Sequence, residues 1–279
     1  MTNFVGPGLS LAAAASWGAA DFSGGLATKR VNPFGVVVVA HGTGLLFMLL
    51  LALLAKEPVP SRISLLWGMA AGLVGGIGLA ALYKALAIGK MGVNAPLSAV
   101  IAALLPLLFS FSTEGLPRPL QLVGFVLALI SIWLIAAQPG ASGGREGLGL
   151  AVVAGIGFSG FLLFSKLAGA HALFWPLVFA RLASLLLMLA IVLISRPEWK
   201  PAKGALPYML VAGVLDSGAN ALYVAATQHG RLDVAAVLSS LYPASTVILA
   251  RVLLKERLSQ PQSAGIVAAL IAVPLIAGR

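Results

Sequence analysis

Ten stretches of mostly apolar residues, each about as long as a membrane-crossing helix, follow one another with only short loops between them. They run approximately over 5–28, 33–55, 64–88, 92–112, 119–138, 147–168, 173–195, 205–228, 233–254 and 260–278. A helix needs roughly 20 apolar residues to cross the hydrocarbon core, so the pattern predicts an all-α integral membrane protein of ten transmembrane helices. The breaks carry turn-forming and charged residues: Asn32-Pro33, Lys56-Glu57-Pro58, Glu114-Gly115-Leu116-Pro117, the run Pro139 to Gly144, and Arg196-Pro197-Glu198. Composition closes the alternative. With 60% apolar and 9% charged residues, the chain lacks the polar surface of a soluble domain. The N-terminus lacks a charged n-region and a small-residue cleavage site, so it reads as the first membrane helix and not as a removed signal.

Several function classes are excluded at this stage. There are no cysteines, hence no disulfide, thiolate or iron–sulfur chemistry. His41, His171 and His229 lie far apart, and no metal-ligand spacing occurs, so neither a metal nor a cofactor is expected. The loops hold no G-x-x-x-x-G-K-[ST] motif, which argues against ATP-driven transport by this chain alone. The net charge of +10 sits mostly at the ends of apolar runs, as at Lys29, Arg30, Lys56 and Arg196. That is the placement of headgroup and loop charge in contact with membrane lipid, not of a nucleic-acid surface.

The chain also repeats. A shift of 140 residues superposes Leu185-Leu186-Leu187-Met188 on Leu45-Leu46-Phe47-Met48, Ala221-Leu222-Tyr223 on Ala81-Leu82-Tyr83, and Gly218 on Gly78. Residues 1–140 and 141–279 thus read as two repeats packing as one membrane domain. Five spans per half is an odd number, so the halves are expected to be inverted, with a transport site between them at the midplane. Loop Lys and Arg number six on the side of the termini (Lys56, Arg62, Arg118, Lys166, Arg231, Arg279). The other side has nine (Lys29, Arg30, Lys90, Arg145, Arg196, Lys200, Lys203, Lys255, Arg257), a lean toward termini outside by the positive-inside rule.

With Ser16-Trp17-Gly18 in the first span and Lys255-Glu256-Arg257-Leu258 after the ninth, the chain resembles the EamA family of the drug/metabolite transporter superfamily. The resemblance covers nearly the whole chain; in the first half only Glu114-Gly115-Leu116 remains of the closing segment. It implies a ten-helix fold in the cytoplasmic (inner) membrane, termini usually cytoplasmic, and export of small metabolites. That topology opposes the charge count, which leaves the orientation open. A narrower similarity links Asp21-Phe22-Ser23-Gly24 and Lys29 to the first helix of the small multidrug resistance exporters. There an acidic residue binds protons and substrate in turn. Here the acid is Asp and not Glu, and the second half has Phe158 at the approximate matching place.

Ionisable residues inside spans cost about 2.5–3.5 kcal/mol each on insertion scales and are functional candidates by default. Asp21 and Asp216 are the two acids that qualify, as substrate-binding and proton-coupling residues. A carboxylate removed from water holds its proton more tightly, and can release it when a substrate or cation arrives. Simple pairing within the bundle is the plain alternative, Asp216 with Arg181 and Asp21 with Lys84. Asp216, Asn220 and Tyr223 share one helix face at i, i+4, i+7, and Tyr83 is the repeat partner of Tyr223. These can line a polar cavity, or serve interhelical hydrogen bonds. Arg181 and His41 match under the shift; Arg181 can hold a substrate carboxylate, and His41 can act as ligand or proton carrier. Trp17, one turn before Asp21, can stack on a solute. Tyr242-Pro243, with Ser239 and Ser240, can break the ninth span beside a cavity, as Pro96 and Pro106 can the fourth. Gly68, Gly72 and Gly76 form a small-residue face suited to packing inside the bundle or to a dimer.

The expected function is a secondary active exporter of a small metabolite or drug-like solute, not an enzyme, acting as a monomer or homodimer. The alternatives are an intramembrane lipid-modifying enzyme, which needs a nucleophile–base pair not visible here, and a channel or scaffold, which needs a ring of like residues.

Overall fold

The computed structural model describes residues 4–88, 91–136, 146–196 and 203–278. The run Pro139 to Gly144, the boundary between residues 140 and 141, Pro197, Glu198, Lys90, Arg145, Lys200 and Arg279 lie outside these residues. The described chain forms eleven α-helices that make ten spans: α1 (Val5–Thr28), α2 (Pro33–Leu54), α3 (Arg62–Ile88), α4 (Met91–Thr113), α5 (Pro119–Ala136), α6 (Leu148–Ala168), α7 (Phe174–Ser195), α8 (Leu206–His229), α9 (Leu232–Ser239), α10 (Tyr242–Leu253) and α11 (Gln260–Ala277). Nine spans among the described residues are long and apolar enough to cross a membrane. The remaining one, α1, has the length but is rich in Ala, Gly and Ser. A single 3-10 turn, Lys203–Ala205, precedes α8.

The spans stop where the sequence expects. Asn32 accepts the Phe34 amide ahead of Pro33 in the first turn of α2. Ser259 and Gln262 form a reciprocal capping box on α11. The 140-residue repeat is written into the backbone itself. Lys56 after α2 and Arg196 after α7 are both left-handed, at φ 50° and 42°. So are Gly115 after α4 and Lys255 after α10, at φ 80° and 57°. Each pair is one repeat apart and closes the same span of its half, the way helices commonly end.

Packing runs between the halves. α3 lies on α6 and α7, and its repeat counterpart α8 lies on α1 and α2; α5 pairs with its counterpart α11 at the edge. Close approach needs glycine in both halves, at places one residue out of the 140-residue register. A Cβ on Gly72 would collide with the Ala180 carbonyl, and one on Gly213 with the Ala40 carbonyl. The Gly68-Gly72-Gly76 face therefore packs inside the bundle, on Pro176, Ala180 and Leu187 of α7, and is not a free dimer surface. Serines cross-link the helices: Ser16 donates to the Leu215 carbonyl at 2.7 Å, Ser159 to Ile101 at 2.9 Å and Ser131 to Gly265 at 2.7 Å.

The ninth span departs from a continuous helix. It breaks at Ser240-Leu241, where Tyr242-Pro243 restarts it as α10. Proline has no amide to continue the ladder. The two parts differ sharply: every residue of α9 is buried and none of α10 is. Pro96 and Pro106, by contrast, leave α4 as one helix from Met91 to Thr113. The expected break in the fourth span does not occur.

Candidate functional site

A cavity of about 310 Å³ opens in the middle of the bundle. It is lined from eight of the ten spans, and α5 and α11 take no part. Trp17 and Asp21 come from α1, His41 from α2, Tyr83 from α3, Arg181 and Ser184 from α7, Asp216 and Asn220 from α8, and Tyr242 from the start of α10. Every residue singled out in the sequence is there except Tyr223. That residue is fully buried behind Trp17, with ring centroids 5.9 Å apart, and its hydroxyl donates to the Leu162 carbonyl at 3.1 Å. Tyr223 is thus an interhelical hydrogen-bonder: it points to the packed side of α8 while Asp216 and Asn220 face the cavity.

The polar groups on the wall form a graded set. Arg181, buried in α7, makes an ion pair with Asp216. Its charge is satisfied inside the protein, so it is not a free guanidinium waiting for a substrate carboxylate. The His41 ring bonds the Ser184 hydroxyl at 2.9 Å, one turn from Arg181. The matched pair of the sequence repeat therefore meets across the cavity. The Trp17 indole donates to the Asn220 side chain at 2.9 Å and stands edge-on to Tyr242, centroids 6.3 Å apart. Tyr83 packs edge-on against Phe34 at 5.8 Å.

Asp21 is different. Its carboxylate forms no hydrogen bond or ion pair among the described residues, and it is accessible from the cavity. The expected partner Lys84 is exposed instead, turned away from the bundle interior. Asp21 lies seven residues from the end of α1, about 10 Å along the helix axis. The 140-residue shift places Phe161 opposite it in α6, and both Phe161 and the nearby Phe158 line the cavity. One half thus supplies a carboxylate where the other supplies an aromatic wall. No cluster of His, Asp and Glu able to hold a metal occurs among the described residues.

Ser184, Gly75, Leu79 and Ala102 also form the wall, and no residue pattern pointed to them. Small and apolar residues are so common in such a chain that only tertiary contact separates a wall from a lipid face. A third acid also lies inside the bundle. Asp233, fully buried in the first turn of α9, is bound by Arg231 at 2.7 Å and caps its neighbour Val234 at 2.8 Å, which makes it structural.

Toward the end that carries the chain termini the cavity borders a buried apolar cluster that includes Met48, Leu162, Leu177, Tyr223 and Val224. Toward the opposite end a smaller buried cluster of Ala27, Val31, Val36, Ala205 and Met209 ties α1 and α2 to the start of α8, and α10 offers no buried residue.

No curated protein sequence matches the chain. A solved structure titled only as the crystal structure of a protein superposes with a TM-score of 0.82 at 17% identity, covering 97% of this chain and 95% of that one. At that identity the likeness speaks for the fold. The EamA-like transporter family matches residues 5–137 and again residues 145–278, one match per half. With ten spans in two repeats around a central cavity, this chain is a membrane protein of the EamA-like transporter family.

Proposed function

We propose that the chain is a secondary exporter of a small solute in the cytoplasmic membrane, driven by proton exchange at Asp21. One observation carries this reading. Of the acids on the cavity wall, Asp216 is neutralised by Arg181, and Asp21 is accessible with no partner among the described residues. A carboxylate so placed can hold a proton on one side of the cycle and a cationic or proton-donating group of the solute on the other. Trp17, Tyr83 and Tyr242 supply aromatic faces for the solute body, and Asn220 and His41 supply hydrogen-bonding groups. Residues 1–140 and 141–279 act as the two units that rock about this site. A single chain contains the whole cavity, so a monomer suffices for the cycle.

The test has two stages. Thermal-shift screening of amino acids, nucleobases and organic cations on purified protein identifies a solute that binds. Flux of that solute into proteoliposomes is then measured under an imposed pH gradient. Asp21→Asn should abolish gradient-driven flux while the protein still inserts and retains its thermal transition. Unchanged flux in the variant removes Asp21 from the mechanism.

A further inference from the structure

We infer that Glu114 and Glu256 are alternating latches for the two ends of the cavity, each closing its own end in one half of the transport cycle. This rests on the transport reading above. In this structure the terminal end is held by a bonded network, and Glu114 is at its centre. Glu114 follows α4 in the loop and bonds three elements of the other half. It pairs with Lys166 at the end of α6. Its other oxygen accepts the Leu232 amide at the start of α9 at 2.9 Å. Its backbone carbonyl accepts Arg231 at 2.9 Å, and that of Gly115 accepts the same guanidinium at 2.7 Å. Arg231 is in turn held by the buried Asp233. Glu114 thus joins the end of α4 to α6 and α9, at the end of the bundle where the apolar cluster lies.

The repeat puts a second carboxylate in the corresponding loop at the opposite end. Glu256 follows α10, one residue beyond left-handed Lys255, as Glu114 stands one residue before left-handed Gly115. Glu256 is exposed, and its carboxylate has no partner among the described residues. The inverted counterparts of α6 and α9 are α1 and α4. The counterpart of Lys166 under the 140-residue shift is Leu26, and Lys29 lies one turn further along α1, exposed and with no side-chain partner among the described residues. The start of α4, at Met91, corresponds to the start of α9. A carboxylate and an ammonium of a Glu114-type pair are therefore present at the opposite end but not engaged, next to an α10 that has no buried residue, whereas Arg231 and Asp233 correspond to Met91 and Val93 and have no charged counterpart there. Closing that end brings Glu256 to Lys29 and to the first turn of α4, and the same motion releases Glu114 from Lys166 and Leu232. A carboxylate–ammonium pair available at each end gives each end state a bonded contact that the other lacks, and alternation needs both states to be held.

Spin-label distances test this directly, and the chain has no native cysteine to interfere. One label pair, Leu116→Cys with Leu167→Cys, reads the terminal end; a second, Thr28→Cys with Leu254→Cys, reads the opposite end. In proteoliposomes Glu114→Gln should raise the long-distance population at the terminal end and the short-distance population at the opposite end together, each about tenfold relative to the competing state. Glu256→Gln should do the reverse. The charge swap Glu114→Lys with Lys166→Glu should return the distribution toward that of the parent chain, which a merely misfolded variant would not do. Distances unmoved by both single variants overturn the latches. Distances that move as stated in a protein that carries no solute support the latches and count against the transport reading alone.

Discussion

The ion pair between Arg181 and Asp216 yields a quantitative expectation because its partners are unequally buried. The Arg181 side chain is 8% exposed and that of Asp216 is 34% exposed, the latter opening onto the cavity. Replacing Asp216 with Asn strands a cation within the bundle. Breaking a buried pair in this way costs about 3–5 kcal/mol. Replacing Arg181 with Met removes the cation and leaves a carboxylate that the cavity can hydrate or protonate, so the cost falls to about 1–3 kcal/mol. The double variant Arg181→Met with Asp216→Asn leaves no buried charge and should be close to the less damaged single variant, so the coupling energy should approach the cost of Asp216→Asn, about 3–5 kcal/mol. Equilibrium unfolding in mixed detergent micelles with increasing dodecyl sulfate gives all four corners of the cycle. Two results would refute the argument: Arg181→Met costing more than Asp216→Asn, or additive single effects. Either would mean that the pair is screened by cavity water and that its unequal burial has no energetic consequence.

The other expectations concern packing and the end held by Glu114. Gly72→Val, which drives a side chain into the Ala180 carbonyl, should destabilise by at least about 1–3 kcal/mol, whereas Gly8→Ala, where no neighbour lies within 4 Å, should be neutral or mildly stabilising; thermal unfolding of the two variants distinguishes them. Tyr223→Phe removes only the bond to Leu162 and should cost about 0.6 kcal/mol with solute flux retained, while Tyr83→Phe changes the cavity wall and should alter flux. Burial alone pushes Glu114 up, but bonds from Lys166, the Leu232 amide and Ser110 outweigh it, and hold its carboxyl below the ordinary value of 4.5. A lowered folded value means that its contribution is complete above 4.5 and is lost as pH falls through the lower value. The difference in unfolding midpoint between the parent chain and Glu114→Gln should accordingly be constant near neutral pH and vanish in strong acid; a difference that persists there would show that the charge of Glu114 contributes nothing.

Much of the architecture follows from the chain itself, because a bilayer admits few solutions. Backbone amides and carbonyls must be satisfied within each span, so apolar runs of the right length are helices, and an odd number of them per repeat sets the two halves in opposite orientations. Intramembrane charge is expensive, so Asp21, Arg181 and Asp216 stood out in the chain as candidates, and all three line the central cavity. Helical periodicity likewise brought Asn220 and Trp17 to the correct faces.

Periodicity failed where one face has two neighbours. Tyr223 shares a helix side with Asp216 and Asn220, yet three further residues of turn carry it past the cavity rim and into the apolar cluster. Proline content was equally ambiguous, since Pro243 restarts a broken span and Pro96 and Pro106 sit in an unbroken one. Whether a lost amide bond breaks a helix depends on what neighbouring helices offer the freed carbonyl. By itself, then, the sequence determined the ten spans, the repeat and the charged residues at the heart of the bundle. Which charges neutralise each other and which is left accessible, and which half of the ninth span is buried, were decided only by tertiary packing. Those are properties of distances between helices far apart in the chain, and no local spacing encodes them.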